Sequence, residues 1–220
     1  MSNPEAFWDR SADNYDKTEE RFEHIHQTAR AATKRHLKPS DRVLDYGCGT
    51  GTTACELAGC AAEILGIDIS GRMIELSKEK VAAAGVENVT FAQGDIFDSE
   101  HQDASFDVVL AFNMLHTVPD PEQVVRRVHD LLQPDGLFIS VTPCLRDKMS
   151  LTVKLQIQLA RVLGRIGIIP IPIRRLRTAD LHDLIASQPF SIVEETEIFA
   201  GATSFFVVAR RQEVPTTTGV

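Results

Sequence analysis

Val43-Leu44-Asp45-Tyr46-Gly47-Cys48-Gly49-Thr50-Gly51 decides the fold of this chain. The apolar run over 42–45 predicts a strand, and glycines follow it at 47, 49 and 51. Glycine lets the backbone turn sharply and lets a ligand lie against it. A helix predicted over 52–58 then aims its first amides at the same place. Strand, glycine turn and helix in that order open a nucleoside-binding α/β unit.

Outward from the turn, short apolar runs alternate with helical stretches. Strands are predicted over 64–69, 88–92, 107–111 and 137–141. Ser70 is placed to cap a helix carrying Met73, Ile74 and Leu76, and Pro121 opens a helix running to Leu132. Pro134-Asp135-Gly136 reads as the turn into the fifth strand. Such alternation argues a parallel sheet covered by helices on both faces. Ligands bind such sheets beyond the carboxyl ends of the strands, where strand order reverses. Two last strand-like runs, 190–198 and 204–210, are joined by a short glycine-containing link and should pair antiparallel. The expected fold is therefore α/β: a Rossmann-like three-layer sandwich, its seven-stranded sheet mostly parallel with a C-terminal antiparallel hairpin. Residues 1–212 are expected to form one domain, with a helical entry segment at 1–38 and an insert at 144–189; 213–220 reads as a tail.

The 220 residues carry 23 Lys and Arg against 31 Asp and Glu, a net charge of −8. An acidic chain gains little from phosphate attraction, so a nucleic-acid substrate is disfavoured. Cys48, Cys55, Cys60 and Cys144 form no Cys-x-x-Cys pair, and no His cluster has metal-ligand spacing, so no metal site is expected. Reduced thiols and the absence of a signal-peptide core point to a cytoplasmic protein. No apolar run approaches the ~20 residues that span a bilayer.

The carboxylates around the turn narrow the ligand. The second strand ends in Gly66-Ile67-Asp68, and an acid there can accept from ribose hydroxyls. A pyrophosphate turn prefers Gly-x-Gly-x-x-Gly, which would put the third glycine at 52, where this chain has Thr52. Asp45 would also repel pyrophosphate, yet it could hold an ammonium group. The ligand expected is an adenosine that ends in an amino acid.

At this point the chain resembles the class I S-adenosylmethionine-dependent methyltransferases. Residues 43–51 look like that family's first motif. Gly66-Ile67-Asp68-Ile69-Ser70 with Met73 is similar to its ribose-binding strand end, and Gly94-Asp95-Ile96 to its adenine-contacting turn. Phe106-Asp107-Val108-Val109, Asn113-Met114-Leu115-His116 and Leu131-Leu132-Gln133-Pro134-Asp135-Gly136 match further segments in order. Phe7-Trp8 and Tyr15-Asp16 resemble the entry helix of the small-molecule branch that includes quinone-biosynthesis enzymes. The resemblance implies that Asp45 and the Gly47 backbone face the methionine moiety, with Gly49 also against the cofactor. It implies that Asp68 binds the ribose hydroxyls, and that Ile69 and Met73 pack near adenine. Asp95 would accept from the adenine amino group beside the Ile96 amide. Asn113 would offer its carbonyl near the methionine end, and Tyr15 would cover the carboxylate. The cofactor implied is S-adenosylmethionine, its product S-adenosylhomocysteine, with the methyl moved by in-line displacement to a small or lipid-like acceptor.

Plainer roles stand beside these. Asp45 could cap the turn, Asp95 could serve its own loop, and Tyr15 could simply pack. Asp107 reads as a structural turn or edge partner, and His24 and His26 as surface residues. His116, just past the fourth strand, is the candidate catalytic base, although alignment and desolvation can carry much of a methyl transfer without one. A nicotinamide oxidoreductase of related fold lacks support, since Thr52 mismatches and no Tyr-x-x-x-Lys pair exists. A protein that binds S-adenosylmethionine without turnover stays open. Amino-group methylation of nucleic-acid bases is disfavoured, because Asn113 is followed by Met114 and Leu115 rather than two prolines.

The insert holds the one strongly basic and apolar region of an acidic chain. Residues 151–166 predict a helix with Leu155, Leu159, Val162 and Ile166 on one face. Lys154, Arg161 and Arg165 form a neighbouring stripe with Gln158 between them. Ile168-Ile169-Pro170-Ile171-Pro172-Ile173 and Arg174-Arg175-Leu176-Arg177 follow. A lid packed over the acceptor pocket is the favoured use. A peripheral membrane contact or a homodimer interface through 151–177 stays open beside it.

Overall fold

The computed structural model describes residues 4–165 and 173–213. Helices α1 (Pro4–Ala12), α2 (Tyr15–Glu19) and α3 (Glu23–Lys34) lead into strand β1 (Arg42–Tyr46). Then follow α4 (Thr52–Leu57), β2 (Glu63–Asp68), α5 (Gly71–Ala84), β3 (Val89–Gln93), β4 (Phe106–Phe112), α6 (Pro121–Leu131) and β5 (Leu132–Pro143). The chain continues through α7 (Leu151–Arg165), α8 (Thr178–Ala186), β6 (Phe190–Phe199) and β7 (Thr203–Arg211).

The sheet runs β3-β2-β1-β4-β5-β7-β6. Pairing is parallel from β3 to β5 and antiparallel for β5–β7 and β6–β7. This is the expected architecture, and the hairpin turns through Gly201 at φ +79°. The order reverses between β1 and β4, so their carboxyl ends open a crevice. One face buries Ile25 and Ala29 of α3, Leu57 of α4 and Ile74 of α5 against Val43, Ile64 and Val108. The other buries Val124, Val125 and Val128 of α6 and Leu181 and Ile185 of α8 against Leu44, Val109 and Phe138. The alternation of side chains along buried strands produces these two cores.

Three boundaries differ from expectation. β5 begins at Leu132, not Leu137, and takes Pro134-Asp135-Gly136 as an irregularity within the strand, with Asp135 at φ +61°. The entry segment breaks at a 3₁₀ turn, Glu20–Phe22. The insert holds a helix that the periodicity did not show, α8, started by the Arg177 amide donating to the Asp180 carboxylate at 2.8 Å. Asp107 is structural, as expected: its Oδ2 accepts from the Arg42 amide at 2.8 Å. Ile166, the apolar run 168–172 and the tail beyond 213 lie outside the described residues.

Candidate functional site

β1 delivers Asp45 and Tyr46 to the crevice, and the chain then turns through Gly47, Gly49 and Gly51, all at positive φ. The Gly47 and Cys48 amides both donate to the Ile67 carbonyl, at 2.9 and 3.1 Å, and so anchor the turn to β2. A Cβ on Gly51 would lie 2.5 Å from Phe91 Cζ, which fixes this position as glycine by both space and φ +76°.

Asp68, at the end of β2, organises the next layer. Its Oδ2 accepts from the Gly49 amide at 3.0 Å and its Oδ1 from the Ser70 amide at 2.9 Å. Burial raises its carboxyl above the ordinary range, and those two amides oppose the rise. Ser70 Oγ caps α5 by accepting from the Met73 amide, and it donates to Asp9 Oδ1 at 2.6 Å. The Ser70 hydroxyl and the Arg72 amide hold Asp9 below the usual carboxylate range. A second tie fastens α2: Thr50 Oγ1 donates to Asp16, and Lys80 Nζ donates to Asp16 at 2.8 Å and to Thr52 Oγ1. Thr52, which excluded the dinucleotide turn, therefore anchors a lysine.

Three cavities open around this frame. The first, about 460 Å³, is lined by Trp8, Asp68, Ile69, Met73, Asp95 and Phe97 among others. The second, about 390 Å³, takes in Asp45, Thr50, His26, Arg30 and Lys80. The third, about 740 Å³, lies under α7 and is walled by Phe7, Ile25, His116, Leu145, Val153 and Ile157. Tyr15 and Asn113 line all three.

Asp45 is buried, and its Oδ2 has no hydrogen-bond partner among the described residues. Burial, and then the neighbouring Asp68, push its carboxyl from 3.8 up to about 7. An orphaned carboxylate at a cavity wall fits an ammonium group. A pH test follows. A carboxyl with a folded-state pKa above its unfolded value loses stability as pH rises from 3.8 through about 7. The Asp45→Asn variant should shed that loss and melt as if roughly 1–3 kcal/mol more stable than the parent at pH 8. The two should converge below pH 4, and a gap between their melting curves that ignores pH would refute the assignment.

Asn113 sits at φ +54° with its amide bound to the Val141 carbonyl at 2.8 Å. Its Nδ2 lies 3.4 Å from His26 Nδ1, and His26 Nε2 lies 3.0 Å from Glu19. With Nε2–H donating to Glu19, Nδ1 accepts from Asn113, which leaves the Asn113 carbonyl for the cavity. His26 is half-buried and lines the second cavity, where the sequence suggested a surface position; His24 is exposed as expected. The signal missed was the partner, 87 positions away. Tyr15 stacks edge-on to Trp8 at 6.4 Å, and burial, with Glu19 next, pushes its phenol above the usual range.

Ile69, Met73 and Asp95 line the first cavity as their motifs suggested. The Ile96 side chain is buried in the core beside α6, while the flanking Asp95 and Phe97 reach the cavity. Asp95 also accepts from the Phe97 amide at 3.1 Å. His116 stands apart from the first two cavities. Its Nδ1 is buried without a partner among the described residues, and burial pushes the ring down to about 4. It is therefore a neutral imidazole at pH 7. No group of three metal-ligating side chains occurs among the described residues.

A family model described as "Methyltransferase domain" matches residues 37–166. The 27-O-demethylrifamycin SV methyltransferase of Amycolatopsis mediterranei is 33% identical over 133 residues, covering 60% of this chain and 47% of that one. A demethylmenaquinone methyltransferase of Lactobacillus johnsonii is 33% identical over 107 residues, covering 47% of this chain and 44% of its own. The chain thus spans about half the length of the curated relatives it matches. The crystal structure of YcgJ from Bacillus subtilis superposes with a TM-score of 0.68 at 18% identity, covering 86% of this chain and all of that one; it speaks for the fold alone.

Proposed function

The chain belongs to the methyltransferase-domain family and has the class I S-adenosylmethionine-dependent fold, and we propose that it methylates a small or lipid-like acceptor held in the cavity under α7. The convergence of three cavities on Tyr15 and Asn113 carries this reading. One cavity has the acids and apolar walls for an adenosine, one has the orphaned carboxylate for an ammonium, and the third is large and largely apolar. The acceptor then meets the methyl donor where the three join.

In this reading Asp68 holds the ribose hydroxyls, with Ile69 and Met73 against the adenine. Asp95 and the Ile96 amide take the adenine edge. Asp45 and the Gly47 backbone take the methionine end, with Asn113 and Tyr15 beside it, and Gly49 lines the adenosine cavity. S-adenosylmethionine, when bound, supplies a methyl already activated on a sulfonium, and S-adenosylhomocysteine is left. What remains for the protein is to align the acceptor and exclude water, which Tyr15, Trp8 and α7 are placed to do. His116, a neutral imidazole on the wall of the third cavity, can accept a hydrogen bond from an acceptor hydroxyl. Residues 1–212 act as one cytoplasmic domain, and among the described residues the entry segment and α7 supply walls to the site.

Calorimetric titration with S-adenosylhomocysteine, followed by methyl transfer from labelled S-adenosylmethionine to a panel of phenols and quinols, tests the reading. Binding without transfer to any acceptor would favour a non-catalytic binding protein, and no binding would end the proposal. His116→Ala should keep the parent affinity for S-adenosylhomocysteine while its turnover falls by at least ~10-fold. Unchanged turnover removes His116 from acceptor handling.

A further inference from the structure

The helix over the third cavity is apolar on both sides. Val153, Ile157 and Ala160 turn inward and wall the cavity. Leu151, Leu155, Leu159 and Val162 turn outward and are 82%, 73%, 59% and 49% exposed. They fall within one narrow sector at helical spacing and run along about 16 Å of the axis. Exposed leucines in such a row are costly in water and mark a surface that meets something apolar.

Charge says what that is. From Lys148 to Ala179 the chain has seven Lys and Arg and no Asp or Glu, although the whole carries −8. Lys154 and Arg161 project from the flank of the leucine row, both exposed and neither in an ion pair among the described residues. Arg174, Arg175 and Arg177, beyond the end of α7, are exposed as well. Lys148 lies 5.0 Å over the ring of Phe199, itself 47% exposed, at the end of β6. Apolar side chains bordered by cations match a bilayer of anionic lipid, whose headgroups take the charges while the acyl boundary takes the leucines. A second copy of the chain fits less well, since two such faces would bring their cations together.

We propose that the outer face of α7 docks the protein on an anionic membrane surface. The acceptor, entering beneath the same helix, then comes from the bilayer. That last step rests on the third cavity being the acceptor site; the docking does not.

Sedimentation with phosphatidylcholine vesicles, with and without phosphatidylglycerol, tests it. The full chain should bind the anionic vesicles at least about tenfold more tightly than the neutral ones, and less tightly as salt rises. Leu155→Glu/Leu159→Glu should lower that partitioning by roughly 100-fold, and Lys154→Glu/Arg161→Glu by about tenfold. These four side chains are exposed, so S-adenosylhomocysteine affinity and melting temperature should match the parent in both variants. Absence of binding to anionic vesicles would overturn the proposal. So would a parent that is dimeric in solution, becomes monomeric on Leu155→Glu/Leu159→Glu, and ignores vesicles. If vesicles bind but S-adenosylhomocysteine does not, the docking stands and the methyl-transfer reading falls.

Discussion

Asp68→Ala should weaken S-adenosylhomocysteine binding by at least ~100-fold. In the proposed site the carboxylate takes hydrogen bonds from two ribose hydroxyls, and bonds to a charged group are worth roughly 1.5–3 kcal/mol each. It also holds the Gly49 and Ser70 amides, so its loss loosens the glycine turn and the start of α5 together. Asp68→Asn keeps the shape but gives up one acceptor oxygen, and its affinity should fall between the two, by about tenfold. Calorimetry reads all three. Equal affinities for Asp68→Ala and the parent would sink the site assignment, whatever the fate of the acceptor side.

Gly51→Ala should cost about 3 kcal/mol and lower the melting temperature by roughly 6–12 °C. Two causes add. Holding alanine at left-handed φ costs about 1–2 kcal/mol. The new methyl would also stand 2.5 Å from Phe91 Cζ and 2.9 Å from Ser77 Cβ, both buried, so the wall behind the turn must shift. Gly85 separates the two causes. It sits at φ +64° in open space at the end of α5, so Gly85→Ala bears the backbone strain alone and should lose only about 1 kcal/mol. Equal losses at the two positions would show that the packing against Phe91 is softer than its burial implies.

The sheet was legible because its strands are buried and punctuated. Apolar runs ending at Asp45 and Asp68 read correctly to within a residue or two, since glycine and the acids mark where each strand meets the crevice. The fifth strand misread because Pro134-Asp135-Gly136 has turn chemistry yet lies inside the ladder. The site was legible where it is local. Asp45 and Asp68 lie at strand ends, Ile69 and Asp95 just past them and Met73 in the first turn of α5, where periodicity and topology place them. His26, Asp9, Asp16 and Lys80 stayed hidden because the ties that bring them to the crevice, to Asn113, Ser70, Thr50 and Thr52, span 28 or more positions and nothing in spacing announces them. Helix α7 shows a related limit. Periodicity found the row of Leu155, Leu159 and Val162, but it could not tell that α7 turns its other face inward, since Val153, Ile157 and Ala160 are apolar too.

The entry segment is fastened rather than buried. α1 fully buries only Ala12, and α2 fully buries no residue, Tyr15 being its most covered side chain, so polar ties such as Asp9–Ser70 and Asp16–Lys80 help keep the pair closed. Segments held that way open with little free energy, well before the sheet does. Because Trp8 and Tyr15 on that segment wall both the first and third cavities, one unlatching uncovers both at once. In the proposed reaction, spent cofactor and finished product would then leave through a single door.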